Sequence, residues 1–117
     1  MGPYLVLGLK AGMLARERLE QSPFKLNAKV TLKLEKPVSC FIDGLQVASG
    51  CTMGKRNITA VEGGGIKVEF KSEKSSMTLK VKDDILEWIQ SLSVTRKNEE
   101  QISREVFMKA YEELFEF

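Results

Sequence analysis

Residues 58–81 read ITAVEGGGIKVEFKSEKSSMTLKV, and their alternation decides the fold. Apolar Ile66, Val68 and Phe70 alternate with Lys67, Glu69 and Lys71, and Met77, Leu79 and Val81 alternate with Thr78 and Lys80. Side chains of a pleated strand point to opposite faces with a period of two, so each run is a strand with one buried face. Ile58 to Glu62 forms a short strand before them. Gly63-Gly64-Gly65 and Ser72 to Ser76 supply turns, so the spacing predicts a three-stranded meander. The outward Lys67, Lys71, Lys80 and Lys82 form a solvated sheet face. No exposed aromatics are interleaved with them for base stacking, and no nucleic-acid partner is expected.

Upstream, Ala28, Val30, Leu32 and Leu34 alternate with Lys29, Thr31, Lys33 and Glu35 as a further half-buried strand, which Pro37 ends. Before it, Leu5, Leu9 and Met13 recur at four-residue spacing beside Val6 and Leu14. Lys10, Arg16, Glu17 and Glu20 fall on the other side, so this is an amphipathic first helix, broken by Ser22-Pro23. Gly8 and Gly12 each weaken an isolated helix by about 1 kcal/mol relative to Ala. Spaced four apart, they share a face that lets another backbone come close. Downstream, Asp83 or Asp84 is placed to cap a helix carrying Ile85, Trp88, Ile89 and Leu92. After a polar linker from Ser93 to Asn98, a last helix over residues 99–116 carries Ile102, Val106, Ala110, Tyr111 and Leu114. The order helix, strand, short helix, three strands, two helices predicts an α+β fold with a mixed or antiparallel sheet covered by helices. With 117 residues, the chain is expected to form a single domain spanning 1–117.

The composition excludes several kinds of chemistry. The chain has no histidine, which removes Ser-His-Asp and Cys-His dyads, the HExxH zinc helix and every zinc finger with an imidazole ligand. Eighteen basic against sixteen acidic residues leave a net charge of +2, far from the balance of a dedicated nucleic-acid binder. Two cysteines, Cys40 and Cys51, make no disulfide scaffold and no CxxC pair, so a reducing cytoplasm is the simpler setting. The apolar stretch Tyr4 to Leu9 lacks a basic n-region and a cleavage site and breaks into Lys10. It is read as neither signal peptide nor membrane span.

Periodicity fails between Val38 and Asn57, where Cys40, Asp43, Gly44, Gln46, Gly50, Cys51, Thr52, Gly54, Lys55 and Asn57 crowd together. Asp43 is a natural N-cap, Leu45 to Ser49 is long enough for one or two helical turns, and Gly50 suits the left-handed residue after a helix end. This arrangement returns Cys51 toward Cys40. The two thiols are then expected to line one pocket, with Asp43 and Gln46 at its rim and Lys55 supplying positive charge. On spacing alone, a disulfide or a pair of inert buried thiols is the plainer reading. The stretch is no Walker loop: three residues rather than four separate Gly50 from Gly54, and Arg56 stands where a hydroxyl is needed. Two cysteines supply half of a zinc site, to be completed by Asp43, water, a substrate or a second chain.

The pattern CxxDGxQxxxGCTxGKxN over Cys40 to Asn57 resembles the signature of the FmdE-like family of formylmethanofuran dehydrogenase proteins, close to CxxDAxQxxTGCTxGKGN. Gly2-Pro3-Tyr4 through Gly8, Ala11 and Gly12 is similar to their HGHxGPYxxxGxxxG opening. The likeness is strongest over residues 2–92. It implies a fold related to the C-terminal domain of glyceraldehyde-3-phosphate dehydrogenase, and a homodimer. It further implies a pocket for a metal or small molecule, with Cys40 and Cys51 as metal ligands and Tyr4, Asp43, Gln46, Thr52, Lys55 and Asn57 lining it. Zinc or another divalent metal is the implied cofactor, not expected to be held tightly by this chain alone, because the family's opening histidines and zinc-ribbon tail are missing here. Met1 falls on the variable position just after those histidines, which leaves two readings open: a start upstream that includes the His-containing opening, or a degenerate member kept for binding or assembly. The implied function is association with molybdenum or tungsten formylmethanofuran dehydrogenase and its carbon dioxide reduction. The redox step would then belong to the other polypeptides of that enzyme; a noncatalytic dimeric scaffold is the alternative. Neither a membrane nor a nucleic acid is implied. Apolar Tyr111, Leu114, Phe115 and Phe117 exceed what one small sheet layer covers, which also predicts a homodimer with Phe115 or Phe117 buried by the partner.

Overall fold

The computed structural model describes residues 2–19, 26–51 and 57–117. Helix α1 (Pro3–Arg18) is followed by β1 (Asn27–Leu32), α2 (Cys40–Ser49), β2 (Ile58–Glu62), β3 (Ile66–Lys71) and β4 (Ser76–Val81). Then come α3 (Asp83–Ser91), α4 (Glu99–Met108), α5 (Tyr111–Leu114) and β5 (Phe115–Glu116). The strands form one mixed sheet in the order β2-β1-β3-β4-β5. The fold is α+β, as the sequence predicts.

The strand neighbours differ from the predicted meander. β2 and β3 do not pair, because β1 lies between them, parallel to β2 and antiparallel to β3. Parallel strands need a long crossover, and residues 33–57 supply one containing α2, so β1-α2-β2 is a βαβ unit. The three glycines then carry the chain across the end of β1. Gly63 donates its N–H to the Leu32 carbonyl at 3.0 Å, and a Cβ there would run into the Thr31 methyl group.

One sheet face is buried. Ala28, Val30, Leu32, Ile66, Val68, Phe70, Leu79 and Val81 point into the core, and the lysines between them stay outside. Against this face lie α1 and α2, which run parallel to each other. Gly8 meets Phe41 and Leu45, Gly12 meets Ala48 and Ser49, and Gly44 meets Leu5 and Leu9. The close approach expected of Gly8 and Gly12 is thus made to α2, which brings its own small residues, Gly44 and Ala48, to the seam.

Four local expectations are corrected. Helix α2 starts at Cys40 with Ser39 at its N-cap, so Asp43 sits in the first turn rather than at the cap. Lys82, in extended backbone, precedes α3, and Asp83 and Asp84 lie in its first turn, where the helix dipole favours acids. The last helix is not continuous. It ends at Met108, Lys109 and Ala110 are extended, and α5 leads into β5, whose Phe115 pairs with Val81 at the sheet edge. Phe115 is therefore buried by its own chain and only Phe117 stays half exposed, which removes part of the apolar surplus. Lys10 is also buried rather than on a polar face. Its ammonium reaches the α4–α5 break and donates to the carbonyls of Phe107 and Lys109, each at 2.9 Å.

Candidate functional site

A ten-residue α-helix is about 15 Å long. Because α2 takes in everything from Cys40 to Ser49, the cysteines stand at its opposite ends. The expectation that they line one pocket of a single chain is not met; its physical error was to allow only one or two turns between them. Neither cysteine is in a disulfide; Cys40 is half-buried and Cys51 fully buried.

The carboxyl end of α2 is an anchor for the sheet. Gly50, at φ 77, ends the helix in the left-handed conformation expected of it. The Cys51 thiol donates to the Leu26 carbonyl at 3.1 Å, and the Asn57 amide donates to the same oxygen at 3.2 Å. The Asn57 carbonyl also accepts the Ala28 N–H at 2.9 Å, and Cys51 N–H reaches the Ser49 hydroxyl at 3.1 Å. Two residues of the motif thus pin the start of β1 to the start of β2. Thr52 and Lys55 lie outside the described residues.

The amino end of α2 is a different environment. Parallel packing brings the first turns of α1 and α2 to the same end of the molecule, where β1 and β2 finish. In sheets with parallel strands, ligands bind beyond the strands' carboxyl ends. A cleft of about 320 Å³ opens here between Tyr4, Lys33, Val38, Glu62, the Gly63–Gly65 turn and Gln90, so its wall carries one lysine and one carboxylate. Tyr4 is buried and its hydroxyl is hydrogen-bonded to Gln90. Burial pushes the phenol's pKa above 10.0, the Gln90 bond opposing, so the hydroxyl keeps its proton at neutral pH and can donate. The amino ends of α1 and α2 both lie at this region; the first turn of α1 holds no acid, whereas that of α2 holds Asp43, which offsets its dipole. Asp43 is exposed and Gln46 half-buried on α2; neither lines the cleft. Lys33, Gln90 and the glycine turn are lining residues the sequence did not single out. They come from three separate elements, and no local pattern joins them.

The sequence model of one protein family, described as FmdE, molybdenum formylmethanofuran dehydrogenase operon, matches residues 1–117. The chain belongs to the FmdE family. No curated protein matches it. An FmdE chain is thereby associated with the formylmethanofuran dehydrogenase operon, and no helix among the described residues is long and apolar enough to cross a membrane.

The divalent metal expected of such a protein needs about four donors. Among the described residues, no three of His, Cys, Asp or Glu come together. A ligating cysteine must also be a thiolate, whereas the Cys51 thiol donates its hydrogen to a backbone carbonyl.

Proposed function

We propose that this FmdE chain is a small-molecule-binding member of a formylmethanofuran dehydrogenase system, with the ligand received in the cleft beside Tyr4. The reversible reduction of carbon dioxide onto an amine carrier is then carried by other polypeptides of the system. The observation that carries this reading is the cleft itself. It lies beyond the ends of a parallel strand pair, with a buried tyrosine hydroxyl and a glutamine amide at its wall and two helix amino ends at its border. Such a site suits an electron-rich neutral carbonyl, which accepts hydrogen bonds, while the Glu62 carboxylate at its wall disfavours an anionic ligand.

Calorimetric titration of the purified chain with the amine carrier and with its formylated form tests this. Saturable binding, weakened at least tenfold in Tyr4→Phe and Gln90→Ala, is the expected result. Absence of binding to either ligand overturns the reading. The second reading, a noncatalytic scaffold, is favoured by the commitment of Cys51 and Asn57 to the sheet anchor. It predicts co-elution with the purified dehydrogenase without ligand binding. A homodimer belongs to both readings. Its surface would be the outer stripe of α1 and α4, where Met13, Phe107 and Met108 are exposed beside an apolar groove lined by Val6 and Leu9. Light scattering that returns the mass of one chain removes it.

A further inference from the structure

Among the described residues, nothing covers the face of the sheet turned away from the helices. Its outward positions are Asn27, Lys29 and Thr31 on β1; Thr59 and Val61 on β2; Lys67, Glu69 and Lys71 on β3; Ser76, Thr78 and Lys80 on β4; and Glu116 on β5. Three features of this face call for a partner. Parallel strand pairs are normally covered on both faces, yet β1 and β2 leave Thr31, Thr59 and Val61 outside, Val61 at 39% exposure. Lys67 stands directly opposite Lys80 across β3 and β4, and like charges in that position destabilise a sheet. Their acids are at arm's length, Glu69 4.0 Å from Lys67 and Asp83 3.7 Å from Lys80. Finally, a concavity of about 270 Å³ opens between Lys29 and Lys71, floored by Asn27, Asn57, Thr59 and Glu69.

Four lysines against Glu69, Glu116 and the Asp83 carboxylate beside Lys80 leave this face a surplus of one positive charge. A second copy of the chain is a poor occupant, because it would set lysines against lysines. Nucleic acid is disfavoured by the missing aromatics and by Glu69 within the face. The neutral, β-branched Thr31, Thr59 and Val61 lie toward the β2 edge with Lys29 and Lys67 beside them, a mixture of uncharged and basic side chains that suits a protein interface.

We propose that this open sheet face docks an acidic protein surface, with one partner carboxylate seated between Lys29 and Lys71 and another over the Lys67–Lys80 pair. The proposal uses no residue of the Tyr4 cleft and stands independently of the ligand-binding reading. It also explains why the lysine pair is tolerated: an incoming carboxylate converts a repulsion into a shared contact.

The test is a titration of the isotope-labelled full chain with poly-L-glutamate at low salt, followed by NMR, with duplex DNA and inorganic phosphate as parallel probes. The expected result is saturable shifts at the amides of Lys29, Thr31, Lys67, Thr78 and Lys80, lost as salt shortens the reach of the charges. Lys67→Glu should weaken binding about tenfold. The same substitution places opposite charges across the strands, so its melting temperature should be unchanged or higher, which separates lost binding from lost folding. Shifts confined to another surface, or no binding, overturn the proposal. Tighter binding of DNA than of poly-L-glutamate overturns it in favour of a nucleic-acid surface, and equal binding of inorganic phosphate overturns it in favour of a small-anion site. Shifts at these amides on dilution of the chain alone overturn it in favour of a second copy.

Discussion

Replacing Gly8 by alanine tests the packing that sets the whole helical layer. A methyl group there would overlap the Phe41 carbonyl oxygen and lie 2.8 Å from Leu45 N, where real Cβ atoms essentially never come closer than 3.0 Å. Both obstacles are backbone of α2, so no rotamer change relieves them, and the two helices must separate. Separation loosens Leu7, Leu14, Phe41 and Leu45, all fully buried. Overpacking of this kind costs up to about 3 kcal/mol, while alanine in a helix interior returns about 1 kcal/mol. The expected net loss is therefore about 2 kcal/mol, or on the order of 8 °C in melting temperature for a domain of this size. Urea denaturation followed by far-ultraviolet circular dichroism and by Trp88 fluorescence measures it. Gly44→Ala meets Leu5 and Leu9 in the same seam and should cost as much. The double variant should cost less than the sum, since the first methyl has already parted the helices. Gly64→Ala has nothing within 4 Å and serves as the neutral control. A Gly8→Ala protein as stable as its parent, or a fully additive double variant, would refute the argument.

Three further outcomes follow from the bonding pattern. Cys51→Ala and Asn57→Ala should each cost about 1–2 kcal/mol in urea denaturation, and the pair more than the sum, because the buried Leu26 carbonyl then loses the two donors it has among the described residues. Lys10→Met should cost about 1–2 kcal/mol and speed hydrogen exchange over residues 111–116, since it frees the two carbonyls that hold the α4–α5 break. Burial raises the pKa of Tyr4 and Tyr111 above 10.0, with Glu17 raising Tyr111 further. Both phenols then favour the folded state fully below pH 10, and that contribution is lost as pH climbs through their folded-state values. Lys10, lowered from 10.5 chiefly by burial, acts in the opposite sense. Stability measured from pH 9 upward should fall less steeply in Tyr4→Phe than in the parent, and an identical slope would contradict the assignment.

The strands were legible wherever one face is buried and the other wet, as in Ile66/Val68/Phe70 against Lys67/Glu69/Lys71. Their neighbours were not, because a period of two assigns residues to faces and says nothing about which strand lies alongside. Gly63-Gly64-Gly65 reads as a hairpin turn from sequence, yet the same three residues also suit a chain stepping over the end of β1. Lys10 was misplaced for a related reason. Its burial depends on carbonyls 97 and 99 residues further along the chain, and no local window contains that information. Residues 111–117 have helical spacing up to Leu114, but Phe115 finds a free edge of β4, and the strand ladder wins over the helix.

The motif from Cys40 to Asn57 was legible as a unit and misread as a single pocket. Continuity in sequence suggested proximity in space, but a helix is a spacer: each residue added between two cysteines moves them apart by about 1.5 Å. The structure divides the motif into two tasks. Its carboxyl half, from Gly50 onward, fastens the amino ends of β1 and β2 through one shared carbonyl, while its amino half delivers the first turn of α2 beside Tyr4 at the far ends of those strands. The seam of Gly8, Gly12 and Gly44 links the two halves, since it fixes the axial register in which the first turns of α1 and α2 meet. A residue of the motif can therefore matter to the cleft without touching it, by holding β1 and β2 level at one end so that they finish together at the other.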